Sequence, residues 1–188
     1  NDWTGLQLAW RRVLDRAGIE MFHMADFMSP HAQPYASWGE EKRGRVLKAL
    51  LRSISENVIY GCAAVLTTPG YEALLKHHAE RTAADRPSLG NNPYALCADV
   101  CIGLVNLKLI KTGWTERRVA YVFDGGDPGQ GEFHSSISTI LNWSQKYQDD
   151  NRVLSVTRVS KIAAPAIQTA DILAYEFTHS RADLEAYS

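Results

Sequence analysis

Near the start of the chain, Trp3, Leu6, Trp10, Val13 and Leu14 recur at steps of three and four, and Gly18 follows as a C-cap-like glycine. That period is the signature of an amphipathic helix. Ile19–Phe27 loses the period and reads as short and extended, ending near Ser29-Pro30. A second helix is predicted over Trp38–Glu56. Val58–Thr67 is rich in β-branched and small apolar residues and predicts a buried strand, closed by Thr68-Pro69-Gly70. Helices are expected at Tyr71–Ala84 and Tyr94–Lys111, parted by the breaker run Pro87–Pro93. Then follow a strand (Arg118–Asp124), a glycine-rich loop (Gly125–Gly131), a helix (Phe133–Tyr147), a strand (Leu154–Val159) and a last helix (Ile167–His179). Alternation of this kind predicts an α/β fold, a sheet covered by helices, in a single domain spanning 1–188.

Composition narrows the partners. Hydrophobic residues make up 45% of the 188 residues, charged residues 22%, and the formal net charge is −1. Without a global basic field, nucleic acid would have to be met by a local stripe. No apolar run is long enough to span a bilayer, so no membrane partner is expected. The three cysteines include no Cys-x-x-Cys pair. They read as small buried side chains of a cytoplasmic protein rather than a zinc site.

The candidate chemistry lies in acids placed among apolar residues. Asp124 ends the apolar strand Val119–Phe123, at the carboxyl edge where open α/β sheets hold ligands. Asp171 lies in the first turns of the last helix. At 100° per residue, Ile167, Ala170, Leu173, Ala174 and Phe177 form one apolar face there, with Gln168 and Tyr175 beside it and Asp171 on the seam. Ionised acids at a buried sheet–helix junction are costly unless a positive charge sits between them, and a divalent cation is the simplest one. A cation held by carboxylates points to phosphoryl chemistry. Each acid has a blander role open to it: Asp171 as an acid favoured by its own helix dipole, Asp124 as the start of a turn.

Other features stay secondary. Phe22-His23-Met24-Ala25-Asp26-Phe27 sets a histidine and an acid three apart, which a helical turn brings together and an extended strand separates. A hydrogen-bonded buried histidine and a ligand or proton donor are both open for His23. The glycine-rich loop lacks a Gly-Lys-Ser/Thr ending and Ser135 and Ser136 lack a nucleophile-elbow pattern, which argues against nucleotide P-loop and acyl-transfer chemistry. Asp127 and Glu132 read as loop acids, Asp99 as a satisfied buried acid or a helix-edge one, and the pair His77-His78 as a helix surface. Lys42, Arg45, Lys48 and Arg52 form one basic stripe on the second helix, suited to a phosphate backbone or to plain solvent exposure.

Phe22-His23 with Asp26, the strand end Val122-Phe123-Asp124, and Pro165 followed by Gln168-Thr169-Ala170-Asp171-Ile172-Leu173-Ala174-Tyr175-Glu176 resemble the family called domain of unknown function 3800. That family of bacterial, archaeal and phage proteins resembles the ribonuclease H-like superfamily, and the likeness runs from Trp3 to Phe177. The resemblance implies a ribonuclease H-like mixed sheet flanked by helices and a metal-dependent nuclease or related phosphodiester hydrolase using Mg²⁺ or Mn²⁺. Asp124 would match the acid on the fourth strand, Asp171 the acid on the last helix, and Gln168 the family's glutamine. The expected catalytic set is therefore Asp124, Asp171, Gln168, His23 and Asp26, with Asp124 and Asp171 as metal ligands. The family opens with a central strand carrying Asp-Glu-Ser, for which nothing before Trp3 substitutes; a natural start lying upstream of this sequence is expected. A non-catalytic module binding protein or nucleic acid is the alternative on the same fold.

Overall fold

The computed structural model describes residues 3–67, 69–73, 76, 93–125 and 145–186. The chain divides into two compact units, Asn1–Gly61 with Val159–Ser188, and Cys62–Arg158.

The first unit is helical. α1 (Trp3–Ala17) buries Leu6, Trp10, Leu14 and Ala17, the stripe that the spacing predicts, while Trp3 is left exposed. It ends in a Schellman motif. Gly18 adopts φ +74, its N–H reaches Asp15 O, and the Ile19 N–H reaches Leu14 O. A short helix α2 (Met24–Met28) and a 3-10 turn (Tyr35–Ser37) follow. α3 (Glu40–Asn57) places Glu40 and Glu41 in its first turn, where the helix dipole favours acids, and buries Val46, Leu50 and Ser53. α1 packs on α3, and between them lies an aromatic core. There Phe22, Phe27, Tyr35 and Trp38 make consecutive edge or tilted contacts, with ring centroids 5.1–5.4 Å apart. Pro165–Ile167 form a 3-10 turn that leads into α6 (Gln168–Ala186).

The second unit carries α4 (Pro93–Lys111), β1 (Val119–Asp124), α5 (Gln145–Asp150) and β2 (Val153–Val159), the last strand ending one residue into the first unit. α4 ends in another Schellman motif: Gly113 has φ +73, its N–H reaches Ile110 O, and the Trp114 N–H reaches Leu109 O. β1 and β2 pair as a two-stranded parallel sheet, entered by the hydrogen bond Val119 N–H to Arg152 O at 2.8 Å. Ile102 of α4 and Val153 are its buried centre, with Ala98, Tyr121 and Val156 packed around them. The structure is thus a mixed helix-and-strand one, as expected at that level.

Several local expectations change. Residues 58–67 form no strand, and Ile59, Tyr60 and Val65 are exposed. Strand propensity is realised only where a partner strand and a covering layer bury the side chains, and this run gains neither among the described residues. Ile19–Phe27 is extended only up to His23 before α2 begins. Of the apolar face expected along the last helix, Ile167 is buried in the preceding 3-10 turn and Leu173 is half-buried, but the rest is not. Ala170 and Ala174 are exposed and Phe177 is 47% exposed, whereas Gln168 and Ile172 are buried. The cysteines are half-buried rather than fully enclosed. Residues 69–73 begin the helix expected at Tyr71–Ala84. Most of that helix, residues 126–131 of the glycine-rich loop with Asp127, and Glu132, Ser135, Ser136, His77 and His78 lie outside the described residues.

Candidate functional site

The first unit gathers four of the five expected catalytic residues around one amide. Gln168 opens α6 and is 0% exposed. Its Oε1 accepts hydrogen bonds from Trp10 Nε1 at 3.0 Å and from the Phe22 N–H at 2.9 Å, while its Nε2 donates to Lys161 O at 2.9 Å. A buried amide is tolerated only with such partners, and these three tie α1, the start of the 22–28 segment and the approach to α6 into one frame. That demand sets the rotation of α6. With Gln168 pointing inward, residues 170, 174 and 177 must face outward.

One turn along, Asp171 comes to the same segment. Its Oδ2 accepts the Met24 N–H at 2.7 Å, at the first residue of α2, where unpaired N–H groups and the positive dipole end welcome a carboxylate. Asp171 is therefore a helix-terminal acid, but for α2 as well as for its own helix. Its Oδ1 lies 3.6 Å from His23 Nε2, an ion-pair distance too long for a hydrogen bond. On the other side of the ring, His23 Nδ1 is 3.1 Å from Asp26 Oδ2. The i,i+3 contact exists because α2 begins immediately after His23. The histidine thus stands between two carboxylates, with 35%, 53% and 21% of the side chain exposed for His23, Asp26 and Asp171.

Two residues that the sequence reading passed over hold this arrangement. Tyr35 donates its hydroxyl proton to Met21 O at 3.2 Å, and the phenol oxygen faces the His23 N–H at 3.4 Å. Burial raises the Tyr35 phenol above its ordinary value, and the nearby Asp26 and Asp171 push the same way against the His23 backbone N–H. Arg43 donates to Ser29 O at 3.2 Å and Tyr35 O at 3.0 Å, and also to Phe27 O, joining the last turn of α2 to the 3-10 turn. An Arg among the charges of an amphipathic helix gives no sequence sign of such a role.

Asp124 ends β1 in the second unit, as expected, and is half-buried. The basic stripe lies along α3 but is partly spent internally. Arg45 pairs with Glu41, Arg52 with Glu56, and Lys42 lies 4.0 Å over the Trp38 ring, while Lys48 is exposed. Among the described residues, no group of three or more His, Cys, Asp or Glu side chains is arranged to hold a metal ion. Asp171 alone offers one carboxylate edge, which fits a largely hydrated Mg²⁺ or Mn²⁺ and not an ion caged by protein ligands.

Among the described residues, no helix is long and apolar enough to cross a membrane. Comparison with known proteins returned no matching family model, no similar curated protein and no similar solved structure.

Proposed function

We propose that the protein is a metal-dependent nuclease or related phosphodiester hydrolase of ribonuclease H-like type, related to the domain of unknown function 3800 family. One observation carries the reading: His23, Asp26, Gln168 and Asp171, which bear the resemblance from opposite ends of the chain, meet in one partly exposed site. In this reading Asp171 would hold a hydrated Mg²⁺ or Mn²⁺, which would supply charge neutralisation at a phosphoryl group, and Asp124 of the second unit is the further ligand that the resemblance implies. Asp26 accepts the proton on His23 Nδ1 and so fixes the tautomer that leaves Nε2 as proton acceptor beside Asp171. Gln168 touches no substrate; it positions Phe22 and hence His23. The exposed side of α3, with Lys42, Arg45, Lys48 and Arg52, guides the nucleic-acid strand.

The test is cleavage of a labelled single- and double-stranded oligonucleotide panel with Mn²⁺, together with thermal stabilisation by millimolar Mn²⁺. Asp171→Asn and Asp124→Asn are expected to abolish both. In Asp171→Asn the new amide oxygen still accepts the Met24 N–H, so the fold persists. Full cleavage by either variant refutes its assignment as a ligand.

The tie from Asp171 Oδ2 to Met24 N favours a second reading, a non-catalytic binding module in which Asp171 is structural. Absence of any Mn²⁺ shift or cleavage, with the fold kept in Asp171→Asn and lost in Asp171→Ala, is the outcome that selects it.

A further inference from the structure

Cys62 sits on the irregular 58–67 segment, and Cys97 and Cys101 lie one turn apart on α4. The chain's cysteines nevertheless gather in the second unit. Cys62 Sγ is 4.0 Å from the carbonyl oxygen of Cys101, 39 residues away, and the thiols of Cys62 and Cys97 are both close enough to that of Cys101 to act on it electrostatically. The Cys62 Sγ contact with the Cys101 carbonyl sets this end of the 58–67 segment against the helix.

Beside Cys62 and Cys101 is the Tyr121 hydroxyl of β1, buried and without a hydrogen-bond partner among the described residues. An orphaned buried hydroxyl is a cost that simple packing does not require. A thiolate formed next to it would accept that proton donor.

We propose that Cys62 and Cys101 are a modification site, a thiol pair that peroxide converts into a reversible intramolecular disulfide stapling the 62–67 segment to α4, with Tyr121 as the donor to the reacting sulfur. The reaction balances with hydrogen peroxide as oxidant. The Cys62 sulfur, having lost its proton, attacks one peroxide oxygen; an S–O bond forms, the O–O bond breaks, and the departing hydroxide takes a proton to leave as water. The Cys101 sulfur then attacks the Cys62 sulfur. The S–S bond forms, the S–O bond breaks, and a second water leaves. Two thiols are oxidised by two electrons in total, and the peroxide is reduced.

Burial raises the Cys62 thiol and takes Cys101 to about 11, so both are protonated at neutral pH. The pair is therefore slow to react and stays reduced without an oxidant. Cys62 attacks first because its thiol is the less perturbed of the two.

The experiment treats the full chain with hydrogen peroxide, blocks remaining thiols with iodoacetamide, digests without reduction and maps the peptides by mass spectrometry. One cross-linked peptide pair joining Cys62 to Cys101 is expected, about 2 Da lighter than the sum of its thiols, with Cys97 alkylated and the bond lost on adding dithiothreitol. Cys97→Ser gives the same product, and Tyr121→Phe forms it several-fold more slowly. A bond to Cys97, sulfinic acid in place of a bond, or three alkylated cysteines under conditions that cross-link a urea-unfolded control overturns the proposal. Equal rates for Tyr121→Phe and the unsubstituted chain overturn the role of Tyr121.

Discussion

Replacing Gln168 with alanine removes at once the acceptor of two buried donors, the Trp10 indole N–H and the Phe22 backbone N–H, and a donor to the half-buried Lys161 carbonyl. A buried polar group left unpaired costs about 1–3 kcal/mol, and the truncated side chain leaves space in a packed region. Allowing for water or relaxation at one of the three, the loss should be about 3–5 kcal/mol. That is a large share of the roughly 5–15 kcal/mol that separates folded from unfolded chains. Urea unfolding followed by circular dichroism reads it. With a slope of about 2 kcal/mol per molar urea, the midpoint should fall by about 1.5–2.5 M without a change of slope. Trp10→Phe is the control. It keeps the aromatic contact with Phe22, removes one donor and leaves Gln168 Oε1 bonded to the Phe22 N–H, so its cost should be near 1 kcal/mol. A loss below about 1 kcal/mol for Gln168→Ala would mean that the amide does not hold the frame together, and the account of how α6 is oriented would fail.

Gly18→Ala should cost about 1–2 kcal/mol in the same unfolding assay, from the left-handed backbone alone, since a Cβ there meets nothing within 4 Å; an unchanged midpoint contradicts this. Arg43→Ala should destabilise by about 2 kcal/mol, and Arg43→Lys should recover less than half, because a single ammonium cannot serve the carbonyls of Phe27, Ser29 and Tyr35 together. Full recovery by lysine would show that charge alone matters there. Burial takes Cys101 from 9.0 to about 11 and Tyr121 from 10.0 to about 12 in the folded chain. Both folded values lie above the unfolded ones, so deprotonation favours the unfolded chain. The stability involved is intact below the unfolded pKa values and falls as pH rises through the folded ones. Denaturant midpoints should therefore drop from about pH 9 up to about pH 11 and beyond, less steeply in Cys101→Ser; a flat profile refutes the burial of these groups.

The approach of His23 to Asp26 was legible as a condition rather than a fact. Spacing of three brings two side chains together only if the backbone turns, and α2 beginning at Met24 supplies that turn. Asp171 was legible as an acid in a helix's first turn, but not as the acceptor for Met24. Gln168 was visible only through the resemblance. Nothing local announces that an amide will be enclosed by Trp10, Phe22 and Lys161, because those partners are brought to it by the fold. Tyr35 and Arg43 gave no sign for a related reason: their partners are backbone carbonyls and N–H groups, which nearly every residue carries.

What the sequence determined by itself is whatever depends on neighbours within a turn or two. The stripe of α1 and its stop at Gly18, the span of α4, and the two strands all follow from local period, caps and β-branched runs. Only the tertiary structure decided which face of α6 is buried, and it left the apolar run 58–67 without a strand. Hydrophobicity offers α6 several faces of similar value, whereas one amide with three fixed hydrogen bonds accepts a single rotation. A strand, likewise, is a property of two segments, and no composition in one of them can supply the other.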